Sequence, residues 1–418
     1  MKIPCLIGAV LGVAIHSQAV AASDAPLTLD AAVRLALEAD DPSVRQFEEQ
    51  AAALAEKAVA ESQLPDPQLG ITMINLPTSF SFTQENMTQF QTSLSQSFPA
   101  GRTLALRGAR RRAESAGARY AARLRELEIV RETRRAWLEM YYWAAAEAQI
   151  RKSRDAVADL EGATRADYSA GRGSSQALMR TRLELSLLDD RLIEAQRRFE
   201  IARANLARFI GETAARRALP QDMPVLKYPE APEALRALLL RHPAVRMTDS
   251  TIEARKREVE IAAQQYKPDW AVRAGYGVRG RTPTGRNRDD FITVGISLDV
   301  PLFTAKRQDK AVAAAKRSRQ SAQLGREATL LELNRQLERS YAAWARLNDR
   351  IRLYEEAVIE RAEGTTEASV ISYRSGVTDF PELIRAELAE LDTRLQLIRL
   401  RVDRAKTQAD LLFLEGEN

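Results

Sequence analysis

The 418-residue chain is 45% apolar, 28% charged and 6% aromatic, which is enough for two or three ordinary domains or for one duplicated domain. Its formal net charge of +5 is small for this length, so no nucleic-acid-binding surface is expected. One Cys and two His, with no catalytic motif or phosphate-binding glycine loop, argue against disulfide scaffolds, metal-binding and cofactor-binding proteins and enzymes.

The first 22 residues predict a secretory signal peptide. Lys2 precedes an apolar run over residues 3–15, and residues 19–21 (Ala-Val-Ala) form a small-residue cleavage site. A short membrane anchor is the alternative, but the run falls short of the roughly 20 residues that a spanning helix needs. No Cys follows the run, so no lipid anchor is expected. The sequence therefore predicts export into a Gram-negative cell envelope.

Helical and strand-like patterns then alternate along the chain. The stretch over 29–62, which is rich in Ala and Glu and has no internal Gly, favours a helix, whereas apolar and polar residues that alternate singly favour strands. The predicted helices span about 29–62, 104–167, 175–210, 231–266, 308–373 and 379–414, and the predicted strands span about 67–76, 89–98, 270–279 and 291–300.

The same landmarks occur twice. An apolar heptad series that begins at Leu185 recurs, member by member, 203 residues later from Leu388. Ala136-Trp137 similarly recurs as Ala343-Trp344. The chain is therefore interpreted as a tandem duplication, with a first repeat over 23–218, a linker over 219–232 and a second repeat over 233–418.

The four strands have the length and two-residue period of tilted outer-membrane strands. Two soluble hairpins packed on a helical core are the alternative. Four strands cannot close a barrel, and open strand edges are not tolerated in lipid. Three chains would supply twelve strands, enough for an open lumen. The predicted fold is therefore mainly helical, with a small transmembrane β-barrel of four strands per chain in a trimer.

The helix lengths support this assembly. Residues 104–167 would form a helix roughly 96 Å long, and each half pairs one such long helix with two shorter helices stacked end to end. The heptad series supply the left-handed coiled-coil contacts that such a bundle requires. Three chains would thus form a helical tube continuous with the barrel.

The whole predicted mature chain resembles the TolC family of outer-membrane efflux ducts. The resemblance rests on the duplicated halves, on the strand ends at 98–102 (Phe-Pro-Ala-Gly-Arg) and 300–303 (Val-Pro-Leu-Phe), and on two Tyr-x-x-Gly turns. The compact length resembles the branch that serves heavy-metal resistance pumps, of the CzcC, CnrC and CusC type. The resemblance implies a homotrimer in outer-membrane lipid that docks on a periplasmic adaptor (membrane fusion) protein and an inner-membrane pump of the resistance-nodulation-division type.

Candidate site residues lie at the turns furthest from the strands. The turns contain Tyr168 with Gly171 and Tyr373 with Gly376, and a Gly suits a helix stop. In the TolC pattern, carboxylates beyond this Gly line a periplasmic constriction, which implies that Glu382 lies at the mouth. The same comparison places Arg385, Arg180 and Asp379 there, and the arginines weaken the case for cation selectivity. Plain helix capping, with Asp379 and Glu382 as a capping box, is the alternative.

Other functions remain compatible with the sequence. The duct could serve type I protein secretion or drug efflux, or the chain could be a periplasmic coiled-coil scaffold without a pore. Nickel, cobalt, zinc, copper, silver and organic compounds are all compatible cargoes.

Overall fold

The computed structural model describes residues 25–171, 174–375, 377–378 and 380–416, and the predicted signal peptide therefore lies outside the described residues. The elements in chain order are α1 (Leu29–Glu38), α2 (Pro42–Ala60), β1 (Gln68–Ile74), β2 (Gln89–Phe98), α3 (Thr103–Ser169), α4 (Ser175–Ile210), α5 (Glu212–Ala215), α6 (Pro232–Leu239), α7 (Pro243–Gln264), β3 (Trp270–Arg279), β4 (Phe291–Leu298), α8 (Gln308–Leu353), α9 (Ile359–Arg374) and α10 (Phe380–Glu415). The predicted mainly helical fold with four strands is confirmed.

The four strands form one antiparallel sheet in the order β1-β2-β3-β4. The central pair joins the two repeats, with Phe98 opposite Trp270 and Phe90 opposite Val278. The rings of Phe98 and Trp270 stack with centroids 4.2 Å apart. The strands begin and end within two residues of the predicted bounds, because a period of two is a local signal that the sequence carries directly.

The apolar face of the sheet is open to the surroundings. On β4, Ile292 and Val294 are 78% and 71% exposed, and their cross-strand neighbours Tyr276 and Ala274 lie on the same face. Every strand contributes apolar side chains to this face, and no helix in the described part of the chain covers it. The opposite face is polar, and the amide of Gln91 donates to the hydroxyl of Thr293 across β3.

Two predicted helices are each broken in the structure. Residues 29–62 divide into α1 and α2, and residues 231–266 divide into α6 and α7. Each break precedes a proline, because the residue before proline is driven out of the helical region. Asp41 and His242 then act as N-caps and accept from the backbone N–H two residues further on. The prediction of unbroken helices was therefore wrong at these two positions.

The predicted helix over 308–373 is continuous but irregular. A five-residue π-helical turn, Tyr354–Val358, joins α8 to α9, and such turns insert one extra residue into the helical ladder. The α3 helix, in contrast, runs unbroken for 67 residues, or roughly 100 Å. It packs against α2 and α7 near the sheet and against α4 and α10 further away.

A belt of short elements wraps one side of the long helices. We define the belt as residues 25–38 and 211–240, which include α1, α5 and α6. Trp137 of α3 is fully buried against it and donates from its indole N–H to the carbonyl of Leu27, 2.9 Å away. Leu235 of α6 packs similarly against Leu337 of α8. The belt thus fixes the middle of both long helices.

The heptad series predicted from the sequence lies mainly inside the chain. Leu188 and Ala195 of α4 pack with Ile150 of α3 and Leu391 of α10 in one buried cluster. Burial of apolar stripes between helices is the main stabilising contribution in such bundles. Among the described residues, no helix is both long and apolar enough to cross a membrane.

Candidate functional site

The first Tyr-x-x-Gly turn closes the α3–α4 hairpin. Gly171 has a φ of +75° and donates its N–H to the carbonyl of Tyr168 at 3.0 Å. The backbone of a residue with a Cβ is strained in this left-handed region, whereas that of Gly is not. Ser174 then caps α4 and accepts from the N–H of Ala177 at 3.1 Å. The turn is therefore built by local helix-stop and helix-start signals.

The second turn joins α9 to α10. The backbone N–H of Val377 donates to the carbonyl of Ser372 at 2.9 Å. The ring of Tyr373 packs edge-on against Phe380, with centroids 5.5 Å apart. Two predicted site residues of this turn, Gly376 and Asp379, lie outside the described residues.

The two turns differ in their aromatic residue. Tyr373 packs against the buried cluster that contains Phe380, whereas Tyr168 is 48% exposed. The first turn of α4 contains no aromatic residue equivalent to Phe380. Of the two tyrosines, Tyr373 is therefore packed against the buried cluster, whereas the side chain of Tyr168 is about half exposed at the tip.

The predicted mouth charges are partly paired within the chain. Glu382 and Arg385 form an ion pair at 2.7 Å on the exposed face of α10. An exposed pair of this kind contributes little to stability, but it reduces the field that either charge projects into solution. Arg180, on α4, is exposed and has no ion pair with the described part of the chain. The electrostatic field at this end of the chain therefore depends on whether Arg385 stays paired with Glu382.

One charged cluster near the tip was not predicted. The carboxylate of Glu161 on α3 is almost covered, and it accepts from Arg165 at 2.6 Å and from Arg182 of α4 at 3.1 Å. The hydrogen bond from Arg165, reinforced by that from Arg182, holds the pKa of Glu161 below its usual value. The Glu161–Arg165 spacing of four residues was a usable signal, but the cross-helix partner Arg182 was not visible in the sequence.

A second network ties α3 to α10 nearer the belt. Glu139 accepts from Arg399 at 3.0 Å, from Lys406, and from the indole N–H of Trp143 at 2.7 Å. Burial by itself would raise the pKa of Glu139, but the hydrogen bonds from Arg399 and Lys406 outweigh it and lower this pKa to about 2. Every member of the network has a partner, and the network ties α3 to α10.

Metal ligands do not converge in the described residues, where no group of three or more His, Cys, Asp or Glu side chains could hold an ion. Most of the charged groups described above are instead pairs of a carboxylate with Arg or Lys.

The second repeat matches a known family. Residues 234–417 match the model described as outer membrane efflux protein, and an open sheet with an exposed apolar face fits that description. This part of the chain is therefore similar to the outer membrane efflux protein family.

Solved structures of outer-membrane channels share the fold over nearly the whole chain. CusC, studied for folding and transmembrane channel formation, aligns with a TM-score of 0.79 and 16% identity, over 94% of this chain and 93% of CusC. VceC from Vibrio cholerae aligns with a TM-score of 0.78 and 18% identity, over 93% and 96% of the two chains. The open-state MtrE channel of Neisseria gonorrhoeae aligns with a TM-score of 0.73 and 16% identity, over 100% of this chain and 98% of MtrE. No curated protein matches the sequence.

Proposed function

We propose that this chain is an outer membrane efflux protein, and that three copies of it form the outer-membrane exit duct of a tripartite efflux system. The observation that carries the proposal is the uncovered apolar face of the four-stranded sheet, where Ile71, Leu94 and Val294 are all exposed. A water-soluble protein buries a face of this kind, whereas lipid accepts it.

The free strand edges support a closed trimer. Within the described residues, β1 pairs only with β2 and β4 pairs only with β3, so each chain has two unpaired edges. Unpaired backbone groups in lipid cost several kcal/mol each. Joining β4 of one chain to β1 of the next removes both edges, and three chains give a twelve-stranded barrel.

The helices give the duct its reach. The α3 helix extends roughly 100 Å from its start beside the sheet to the tip at Gly171, which is long enough to cross much of a periplasm. The tips are then the end that meets a periplasmic adaptor protein and, through it, an inner-membrane pump of the resistance-nodulation-division type. The predicted signal peptide supplies the route of export.

We assign heavy-metal cations as the cargo class. The sequence resemblance to the metal-resistance branch supports this assignment, and CusC is among the structural neighbours. A strain that lacks the gene should become more sensitive to metals such as nickel, cobalt, zinc, copper or silver, and the plasmid-borne gene should restore resistance. Sensitivity confined to organic drugs, or loss of a secreted protein, would instead support the drug-efflux or type I secretion alternatives.

Purification tests the duct itself. The mature protein should leave the membrane only in detergent, should have the mass of a trimer by native mass spectrometry, and should produce ion-conducting steps in planar bilayers. A monomer that is soluble without detergent would contradict the proposal and would favour the periplasmic scaffold.

We further propose that Glu382, Arg385 and Arg180 line the mouth with Asp379, beside the tip turns at Tyr168, Gly171, Tyr373 and Gly376. Because Arg385 pairs with Glu382, the two substitutions should act in opposite directions. Glu382→Ala should shift the bilayer reversal potential under a KCl gradient toward anion preference, and Arg385→Ala should shift it toward cation preference.

A charge substitution away from the mouth provides the control for this experiment. Arg346→Ala removes an exposed arginine that is likewise paired within its own helix, with Asp349 at 2.9 Å, and it should leave the reversal potential unchanged. Equal reversal potentials in wild type, Glu382→Ala and Arg385→Ala would place the constriction elsewhere.

A further inference from the structure

A basic groove of about 650 Å³ lies between α3, α8 and α10. Five cationic side chains line it, namely Arg131, Arg135, Arg335, Arg339 and Lys406. Three carboxylates also reach the groove, so its wall has an excess of two positive charges. Phe413 and Leu414 form an apolar part of the lining.

The three carboxylates of the groove are already engaged by arginines. Asp410 pairs with Arg135 at 2.7 Å. Asp403 lies 3.8 Å from Arg399, and Glu132 lies 3.9 Å from Arg125. These carboxylates are therefore poorly placed to neutralise the remaining cations of the groove.

Two of the five cations have no carboxylate partner among the described residues. Arg335 pairs with Glu332 at 2.6 Å, and Lys406 pairs with Glu139. The guanidinium of Arg131 instead lies over the ring of Phe413, 4.3 Å from its centroid. Arg339 is exposed at the groove and forms no ion pair with the described part of the chain.

The groove lies on the side of the helices that faces away from the belt. Two residues along a helix correspond to a rotation of about 200°, so Arg135 points away from the belt-facing Trp137. Arg339 lies two residues after Leu337, which packs on the belt residue Leu235, so Arg339 also points away from the belt. Lys406 lies two residues before Gln408, whose amide donates to the carbonyl of Leu226 in the belt at 3.0 Å. Lys406 therefore points away from the belt as well.

In the proposed trimer this side is the inner wall. A tube of helices has an inner and an outer side, and the belt on the inner side would obstruct the passage, so the belt occupies the outer side. Arg131 lies about eight helical turns along α3, roughly 40 Å from the sheet, which places the groove well below any lipid headgroup.

We propose that this groove binds divalent oxyanions, with Arg131 and Arg339 as the principal ligands. Guanidinium groups donate paired, charge-assisted hydrogen bonds to the oxygens of such anions. A recessed wall with an apolar lining strengthens the attraction, because it concentrates the field of the surrounding cations. The placement on the inner wall rests on the proposed trimer, whereas the binding site belongs to a single chain.

Isothermal titration calorimetry on the detergent-solubilised full-length protein tests the site, with inorganic phosphate and sulfate as probes. The wild type should bind both, and the Arg131→Gln/Arg339→Gln double variant should bind them at least tenfold more weakly. Arg346→Gln is the matched control, since this arginine lies on the same helix as Arg339 and is paired with Asp349. It should bind as the wild type does.

Absence of binding in the wild type, or equal binding in the double variant, would overturn the proposal. If the double variant unfolds, as monitored by circular dichroism, each single variant is titrated, and one of them must bind more weakly. Bilayer conductance tests the proposed trimeric channel separately from the proposed anion site. Phosphate binding without conductance would contradict the channel alone. Conductance without phosphate binding would contradict the anion site alone.

Discussion

At the scale of the residue, His242 shows how one buried side chain joins distant parts of the chain. Its Nδ1 accepts from the N–H of Ala244 at 3.3 Å, so the neutral ring has its proton on Nε2, which donates to the carbonyl of Phe413 at 3.2 Å. The ring also packs edge-on against Phe413. The break before α7 is thereby tied to the end of α10.

Protonation of His242 should destabilise the folded chain. Burial lowers the pKa of His242, and the nearby Arg131 lowers it further, against the opposing hydrogen bond to Phe413. A base whose pKa is lower in the folded state stabilises that state above its unfolded pKa of about 6.5, and the stabilisation is lost as the pH falls below that value. The melting temperature should therefore decline between about pH 6.5 and pH 5.

A matched variant isolates the contribution of His242. His242→Asn keeps an N-cap but cannot titrate, so its melting temperature should vary less over the same pH interval. His16 lies in the predicted signal peptide, so His242 should give the single imidazole signal of the mature protein in NMR titration. A titration midpoint at or above 6.5 would contradict the expectation.

At the scale of the element, the first tip depends on one positive backbone angle. Gly171→Ala should destabilise the α3–α4 hairpin by about 1–2 kcal/mol, because the added Cβ strains at φ +75°. Amide hydrogen exchange should rise around residues 165–178 and stay unchanged at the second tip.

Gly162 provides the control for this substitution. It lies inside α3 nine residues earlier, and a Cβ there would meet nothing within 4 Å. Gly162→Ala should therefore slow local exchange and stabilise the helix by about 0.5–1 kcal/mol. If both variants change exchange in the same direction, the left-handed angle is not what limits the hairpin.

Helix bounds also show what local patterns predict well. The bounds of α4 agree with the predicted 175–210, because Ser174 caps its start and Gly211 ends it. The breaks at Asp41 and His242 each precede a proline, a signal of a helix boundary that the predicted continuous helices over 29–62 and 231–266 did not include. The π-helical turn at Tyr354–Val358 carries no comparable signal in the sequence.

At the scale of the whole molecule, the two faces of β4 should respond differently to charge. Val294 lies on the apolar face and Thr293 on the polar face. Val294→Arg should cost about 2–4 kcal/mol if the residue lies near the bilayer centre and should reduce the yield of membrane-inserted trimer.

Thr293→Arg, one residue away, should insert normally and change the single-channel conductance instead. Heat-resistant trimer in outer-membrane fractions, followed by bilayer recording, measures both effects. Equal losses of trimer in the two variants would indicate that the sheet does not separate lipid from lumen.

The basic groove bears on the cargo of the whole assembly. A wall that attracts anions opposes the passage of free divalent cations. Under the proposed functions, metal cargo would then pass this level accompanied by anions. The double variant Arg131→Gln/Arg339→Gln should therefore raise the cation permeability of the channel, a change visible in the same bilayer recordings.

The sequence by itself determined the duplication, the four strands and the long helices, because a repeated order of residues and periods of two or of three to four are properties of neighbouring positions. The tertiary structure decided which charges meet. Glu161 of α3 forms an ion pair with Arg182 of α4. Arg131, Arg339 and Lys406 line one groove although they lie far apart in the chain. Side chains brought together from three helices depend on helix rotation and packing, for which no local pattern exists.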